Sequence, residues 1–283
     1  MTKRGKIRAY VLFNDTSDKG IIMERVRVRF LIIGKRAIGL CLLLAAAFAV
    51  LLFSTVRTKS SAVFLGYTSR KLPVYNVDTA EKKAAISFDA AQGGDSAEKI
   101  LRVLDEHGVK ATFFLTGFWA RKNPELVKRL DAAGMEIGSH SNTHPYMTKL
   151  DDTKLDLELS ASKASITEIT GKETALFRAP FGDYSDKVLN ACKRANLTAV
   201  QWDVDSCDWK ELPAKQMAER VLSRVKAGSI VLFHTDGKYT AEALPAILMG
   251  LKNKGYRAVA VGDLLIKNDY YIDHAGTMRN KGP

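Results

Sequence analysis

The residues most suited to chemistry in this chain are two of its five histidines, His140 and His144, which lie four positions apart. Two imidazoles at this spacing share one face of a helix or of a tightly turned loop, so both can reach one metal ion. An apolar run ends just before them at Gly138, and Pro145 behind them fits the first position of a helix but not its interior. The spacing alone leaves two interpretations open, a metal-binding pair on a loop after a strand or two surface histidines.

Other residues capable of acid–base or charge chemistry also follow short apolar runs, which are typical of buried strands. They are Asp89, Arg178, Asp205, Asp208 and His234. In a parallel α/β sheet the carboxyl ends of the strands meet at one edge, so these groups and the two histidines would face one crevice. Each has a structural explanation when taken singly, such as a helix cap, an ion pair or a core histidine. Their shared position favours a functional site.

Metal-assisted hydrolysis is the chemistry that uses such a set. His140 and His144 would bind a divalent ion, which polarises a carbonyl and lowers the pKa of a bound water. Asp89 is the candidate general base for that water. Arg178 would hold the carboxylate of Asp89 in place and keep its pKa low.

His234 is the candidate general acid, which would protonate the leaving group. Asp208 would orient the imidazole of His234 and keep it charged, as a carboxylate does for its partner histidine. With the base and the metal ligands, this pair completes a site for hydrolysing a polarised carbonyl compound.

The elements that must position these residues alternate between strand and helix. Strands are predicted at 84–88, 111–115, 135–138, 176–178, 198–202, 229–233 and 257–261, and helices at 96–106, 124–133, 155–169, 186–195, 214–227 and 244–254. About seven such units predict a parallel α/β domain. The pattern itself leaves open whether the sheet closes into a barrel or stays open and doubly wound.

The amino-terminal part of the chain has a different composition. Residues 1–36 carry ten Lys or Arg against three Asp or Glu, and this excess of positive charge is more than half of the chain's net charge of +12. Residues 37–56 carry no charge. Twenty uncharged residues can cross the hydrocarbon core as a helix, and the basic arm places the amino terminus in the cytoplasm. We expect a single-pass cell-membrane anchor with the remainder outside the cytoplasm. The alternative is a cleaved signal peptide, because Ala47-Phe48-Ala49 has the small-x-small form.

The expected organisation is a basic cytoplasmic arm (1–36), a transmembrane segment (37–56), a linker (57–83), a catalytic domain (84–267) and a tail (268–283). Because the basic excess lies before the apolar segment, we expect the membrane rather than nucleic acid to be its neighbour.

Five segments of the chain resemble, in order, the motifs of the NodB-type polysaccharide deacetylases, carbohydrate esterase family 4. They are Phe88-Asp89, His140-Ser141-Asn142-Thr143-His144-Pro145, Arg178-Ala179-Pro180-Phe181-Gly182, Asp205-Ser206-Cys207-Asp208-Trp209 and Leu232-Phe233-His234. The resemblance covers about residues 82–267. The stretch from Phe114 to Trp119 and the anchor look most like the sporulation-associated branch in Gram-positive bacteria. The resemblance implies a distorted (β/α) barrel that removes N-acetyl groups from GlcNAc or MurNAc units of peptidoglycan or from chitin-like glycan.

The resemblance also implies a role for each matching residue. It makes Asp89 the base, with Arg178 as its partner, and His234 the acid, whose pKa is tuned by Asp208. His140 and His144 are then the ligands of a divalent metal, expected to be zinc. The walls of the substrate pocket are Phe181, Trp209 and Leu232.

One departure from the family pattern concerns the metal. The family has a second aspartate after the first, whereas this chain has Ala90 after Asp89. Two histidines without a carboxylate should bind zinc more weakly. Three outcomes are open: Asp95 reaches the metal, Asp89 turns to the metal and gives up the base role, or the site binds no metal. The alternative function is therefore a catalytically weak or inactive, membrane-tethered protein that binds cell-wall glycan.

Overall fold

The computed structural model describes residues 48, 70–93 and 95–282, the side chain of Asp95 excepted. The expected basic arm (1–36), nearly all of the expected membrane anchor (37–56) and the first part of the expected linker lie outside the described residues. No helix within the described ranges is both long and apolar enough to span a membrane. The fold below is that of the unit Ser69–Pro283.

One sheet contains all the named strands of the described residues. They are β1 (Asn76–Val77), β2 (Lys83–Ala90), β3 (Thr112–Leu115), β4 (Glu136–Ser139), β5 (Leu176–Phe177), β6 (Thr198–Ala199), β7 (Val204–Asp205), β8 (Ser229–His234), β9 (Arg257–Val259), β10 (Tyr270–Ile272) and β11 (Thr277–Asn280). β2 lies at the centre, parallel to β3 on one side and to β8 on the other. Its residues from Ala84 onward are all buried, as expected of a parallel strand covered on both faces.

The sheet curves until β6, at one end, approaches the segment that precedes β1. β4, β5 and β6 follow β3 in parallel order, while β1, β11 and β10 follow β8 on the other side. Val74, just before β1, forms a bridge with Val200, just after β6. The parallel α/β prediction is confirmed, and this bridge gives the sheet the form of a distorted barrel.

The helices of the same part of the chain pack against the sheet. They are α1 (Asp95–Glu106), α2 (Gly117–Lys122), α3 (Pro124–Ala132), α4 (Asp152–Thr170), α5 (Asp186–Arg194), α6 (Ala214–Arg224), α7 (Thr240–Asn253) and α8 (Val261–Leu264). Local signals set their limits: the side chain of Ser185 caps α5, and Gly171, at φ 71°, ends α4. The core beneath α1 and α7 is centred on Phe88, whose ring stacks on Phe113 and Phe233 with centroids 5.0 and 5.4 Å away.

The alternation predicted between residues 84 and 261 is confirmed, with boundary shifts of up to four residues. The sheet also takes up residues for which the sequence predicted a linker and a tail, because β1 lies within 57–83 and β10 and β11 lie within 268–283. These strands are two to four residues long, too short to show a period of two. The predicted strand 257–261 ends at Val259, because Val261 begins the single turn of α8.

Candidate active site

Asp89 and Arg178 form a buried ion pair at the centre of the sheet's carboxyl edge. Arg178, which follows β5 and is fully buried, donates from Nη1 to Asp89 Oδ1 at 2.7 Å. Its Nη2 donates to Ser87 Oγ at 2.8 Å, and Ser87 shares a strand face with Asp89. Burial alone would raise the pKa of Asp89, but the charge and hydrogen bond of Arg178, together with the charges of the nearby histidines, outweigh it and lower that pKa. Asp89 is therefore an ionised carboxylate at neutral pH.

His140 directly follows β4 and faces the same ion pair. Its Nδ1 lies 2.8 Å from the carbonyl oxygen of Arg178, which assigns the proton to Nδ1 and leaves Nε2 with its lone pair. Burial lowers the pKa of His140 to about 4, so the ring is neutral at neutral pH. Nε2 lies 3.6 Å from Asp89 Oδ2, the oxygen that Arg178 does not contact.

His144 completes the pair, with its Nε2 3.2 Å from the Nε2 of His140. The loop reaches this geometry through left-handed backbone at Ser141 and His144, with φ of 65° and 64°. Glu158 of α4 holds the loop by accepting from the backbone N–H groups of Asn142 and Thr143 at 2.8 and 2.9 Å. The motif did not identify Glu158 as a supporting residue, because it is fourteen positions beyond His144 on a separate helix.

The two imidazoles fit a divalent metal ion. Nitrogens about 2.0–2.1 Å from a tetrahedral ion stand roughly 3.3–3.4 Å apart, close to the observed Nε2 separation. The described residues contain no assembled group of three His, Cys, Asp or Glu that could hold a metal ion. Ala90 is buried in the apolar core cluster and supplies no ligand. The side chain of Asp95 lies outside what the structure describes, so its proposed reach toward the metal stays a prediction.

His234, the last residue of β8, lies beside Asp89 in the strand register. Its ring donates from Nδ1 to Asp208 Oδ1 at 2.8 Å, so Nε2 is directed away from Asp208. Asp208 is almost fully buried and accepts three more hydrogen bonds, from Thr240 Oγ1 and from the backbone N–H groups of Trp209 and His234. Burial favours the neutral ring, but the hydrogen bond and charge of Asp208 outweigh it and raise the pKa of His234 to about 9. The imidazole is therefore protonated at neutral pH.

These groups line one cavity of about 550 Å³. Its walls are Asp89, Ala91, Gln92, His140, His144, Phe181, Trp202, Asp205, Trp209, Leu232, His234 and Asp236. Apart from Asp95, the structure thus brings together the residues that the sequence placed in the site, with Arg178 and Asp208 directly behind the wall. Phe181 and Trp209 are each 58 % exposed and give the mouth of the cavity an aromatic rim. Apolar walls around converging acid and base groups suit an acyl group attached to a polar substrate.

The sequence did not identify Trp202, Gln92 and Asp236 as wall residues. Trp202 was expected within a strand, whereas β6 ends at Ala199 and leaves Trp202 at the cavity. Asp236 follows His234 by two residues, and its proximity to the motif was the only available signal.

Comparison with known proteins finds a family model, described as polysaccharide deacetylase, that matches residues 76–200. The peptidoglycan-N-acetylglucosamine deacetylase of Bacillus cereus is 36 % identical over 196 residues, covering 68 % of this chain and 92 % of that protein. The peptidoglycan-N-acetylmuramic acid deacetylase PdaA of Bacillus subtilis is 33 % identical, covering 69 % and 76 %. The uncharacterized protein YlxY of Bacillus subtilis is 34 % identical, and the match spans 60 % of its length.

Solved structures give the same picture of the fold. Wild-type BA3943 from Bacillus anthracis, described as a CE4 family pseudoenzyme, is 31 % identical with a TM-score of 0.66, covering 68 % of each chain. A BA3943 mutant described as having restored enzymatic activity is 32 % identical with the same TM-score, covering 68 % of this chain and 70 % of that one.

Proposed function

Because this chain belongs to the polysaccharide deacetylase family, we propose that it hydrolyses N-acetyl groups of GlcNAc- or MurNAc-type units in cell-wall glycan. The observation that carries the proposal is one cavity lined by an ionised carboxylate, a pair of facing imidazoles and a protonated imidazole. Hydrolysis of an amide requires a base for the attacking water and an acid for the departing nitrogen. This cavity offers one candidate for each.

Asp89 acts as the base in this proposal. Arg178 occupies Oδ1, so Oδ2 is the oxygen left to accept a proton from water as it attacks the acetyl carbon. The low pKa of Asp89 keeps it ionised and makes it a base of modest strength. Its fixed position compensates, since an oriented group needs no further reorganisation when the reaction occurs.

His234 acts as the acid. Its Nε2 proton passes to the amide nitrogen as the carbon–nitrogen bond breaks, so the products are acetate and the free amine of the sugar. Trp209 and Leu232 line the cavity beside His234 and would enclose the methyl group of the acetyl. Asp208 keeps the ring protonated and oriented throughout.

We further propose that His140 and His144 bind a divalent ion, with zinc as the first candidate. When bound, such an ion supplies Lewis-acid polarisation of the acetyl carbonyl. The neutral state of His140 and the lone pair on its Nε2 support this assignment, because a ligating imidazole must be unprotonated at the ligating nitrogen.

A second candidate function is that of a catalytically weak or inactive protein that retains the cavity for binding wall glycan. Ala90 favours it, because no third metal ligand is assembled beside the two histidines within the described residues. The similarity to BA3943, described as a pseudoenzyme, points in the same direction. The complete acid and base arrangement favours the enzyme.

Acetate release by the full chain from peptidoglycan and from chitooligosaccharides, with and without added zinc, distinguishes the two functions. We expect release that depends on metal and is lost in His140→Ala. His107→Ala is the matched control, since His107 is exposed and lies outside the cavity. Absence of acetate from every substrate, with no metal bound and no change in His140→Ala, would contradict the enzyme and favour the binding protein.

We also propose that residues 37–56 anchor the protein in the cell membrane with the deacetylase domain outside the cytoplasm, and that it acts during sporulation. The uncharged run behind a basic arm supports the anchor, and the likeness of Phe114–Trp119 to the sporulation-associated branch supports the second point. Protease accessibility of the domain in intact protoplasts tests the orientation, and cleavage of the domain is the expected result.

A further inference from the structure

A second cavity, of about 410 Å³, adjoins the active-site cavity. Both cavities are lined by Ala91, Gln92 and His144, so they adjoin where the loop after β2 approaches the histidine loop after β4. A polymer whose acetyl group enters the active site therefore has a place for its neighbouring sugar. The stretch from Phe114 to Trp119, which the proposed chemistry does not use, supplies part of this second cavity.

The walls of the second cavity combine an aromatic face with uncharged polar groups. Phe118 of α2 is 48 % exposed and presents its ring at the wall. Trp119 is buried and donates from Nε1 to the carbonyl oxygen of Gly93, which ties α2 to the loop after Asp89. Asn123 and Thr143 add amide and hydroxyl groups. Such walls suit a sugar, which has one apolar face and a rim of hydroxyls.

Lys122 is the cation of this second cavity. Its Nζ lies 4.3 Å from the centroid of the Phe118 ring, so the charge is held over the aromatic face. The described residues place no carboxylate within ion-pair distance of Lys122, whereas many other lysines of the domain have such a partner. An uncharged glycan such as chitin would bring no anion to this ammonium group, whereas a carboxylate-bearing sugar would.

We propose that this second cavity is a subsite for a carboxylate-bearing sugar, in which Phe118 stacks on the ring and Lys122 binds a lactyl carboxylate of the MurNAc type. The inference rests on the proposed function, because it places the sugar next to the unit that is deacetylated. It assigns the protein to muramic-acid-containing glycan rather than to chitin. A carboxylate attached to the sugar itself fits best, because the two cavities share three wall residues and are therefore neighbours.

Binding of three tetrasaccharides to the full chain, measured by calorimetry at low ionic strength, tests the proposal. The ligands are chitotetraose, the GlcNAc–MurNAc tetrasaccharide with free lactyl carboxylates, and the same tetrasaccharide with those carboxylates converted to methylamides. We expect the free carboxylate form to bind about threefold more tightly than either neutral form, since an exposed ion pair contributes modestly. This preference should shrink as salt is added.

Lys122→Gln should abolish the preference and leave the affinity for chitotetraose unchanged. Lys149→Gln is the matched control. Lys149 also holds its Nζ over an aromatic ring, 4.4 Å from the centroid of Tyr146, and its substitution changes the net charge by the same amount, but it lies outside both cavities. Phe118→Ala should weaken all three ligands by similar factors. Equal binding of the three ligands to the unmodified protein, or a preference that survives in Lys122→Gln, overturns the proposal.

The binding experiment requires no turnover, so its failure is distinct from that of the proposed activity. A carboxylate preference that depends on Lys122, in a protein that releases no acetate, supports the subsite and rejects the enzyme. Acetate release without any carboxylate preference rejects the subsite and leaves the enzyme in place.

Discussion

On one side of the active-site cavity, His234 is held by Asp208, a carboxylate that accepts four hydrogen bonds from the chain itself. On the opposite side, His140 and His144 bring two nitrogens within 3.2 Å of each other, and no third metal ligand is assembled with them in the described part of the chain. Both sides lie at the same edge of the same sheet. The acid side is assembled entirely from residues of the chain, whereas the metal site proposed at the histidine pair lacks a third ligand among the described residues.

The difference shows that residues can be correctly placed at the edge of the sheet even where the set of groups needed for a function is not complete. Strand register brings Asp89 beside His234 and puts His140 one residue beyond the end of β4, so both sides are equally well placed. The raised pKa of His234 comes mainly from the hydrogen bond and the charge of Asp208, with smaller contributions from the charges of Asp89 and Asp236. The affinity of the histidine side for metal depends on the number of ligands.

The largest effect is expected at Asp89, which lies between the two sides. Asp89→Asn should lower kcat/KM by about 10³-fold through loss of the base. It should also lower the free energy of unfolding by about 3–5 kcal/mol, because Arg178 then keeps a buried charge without a counterion. Acetate release and urea unfolding measure the two effects.

The double variant Asp89→Asn/Arg178→Met separates these effects. Replacing a buried ion pair by groups that carry no charge is often close to neutral, so the double variant should recover most of the lost stability while activity stays absent. Activity that returns together with stability would show that Asp89 is structural and not the base.

The next effect concerns the acid side. Asp208→Asn should lower kcat/KM at pH 7 by about 10²-fold, and the alkaline limb of its pH profile should move from about 9 toward or below the ordinary 6.5. The protonated ring is the active form, and it is lost earlier when the charge of Asp208 is removed. Asp205→Asn is a control within the same cavity, because the contacts of Asp205 Oδ1 are with Cys207 and not with His234.

The same pair links stability to pH. The pKa of His234 is raised on folding, so its contribution to stability is complete below about pH 6.5 and is lost as pH rises through about 9. Asp208→Asn should remove this slope from the pH dependence of unfolding. For the activity prediction, an alkaline limb of the pH profile that stays near pH 9 in Asp208→Asn would be the contradicting result. It would show that a group other than Asp208 sets the pKa of the acid and that the two sides are not independent.

The smallest of the three effects addresses the incomplete side. Ala90→Asp should raise the affinity for zinc by at least about tenfold, since it adds a carboxylate where the family carries one. Calorimetric titration with zinc measures the gain, and Ala90→Asn is the control of the same size without charge. Because Ala90 is buried in the core cluster, the metal-free variant should be less stable than the parent. Unchanged zinc affinity would show that ligand number does not limit this side.

The composition of the site could be read from the sequence to a large extent. Asp89, His140 and His234 each terminate or follow an apolar run, and the carboxyl ends of parallel strands meet at one edge of the sheet. The partners that complete the site were harder to find. Trp202 reaches the cavity only because β6 is two residues long, and Glu158 reaches the histidine loop from the middle of α4.

What the sequence determined by itself is the alternation of elements and the placement of polar groups at strand ends, because both follow from local periodicity and from the geometry of parallel strands. The tertiary structure decided the closure of the sheet through Val74 and Val200 and the orientation of each active-site ring. It also placed Phe118 and Lys122 beside the site. These depend on contacts between residues far apart in the chain, such as the hydrogen bond from His140 to the carbonyl of Arg178, which no local pattern encodes.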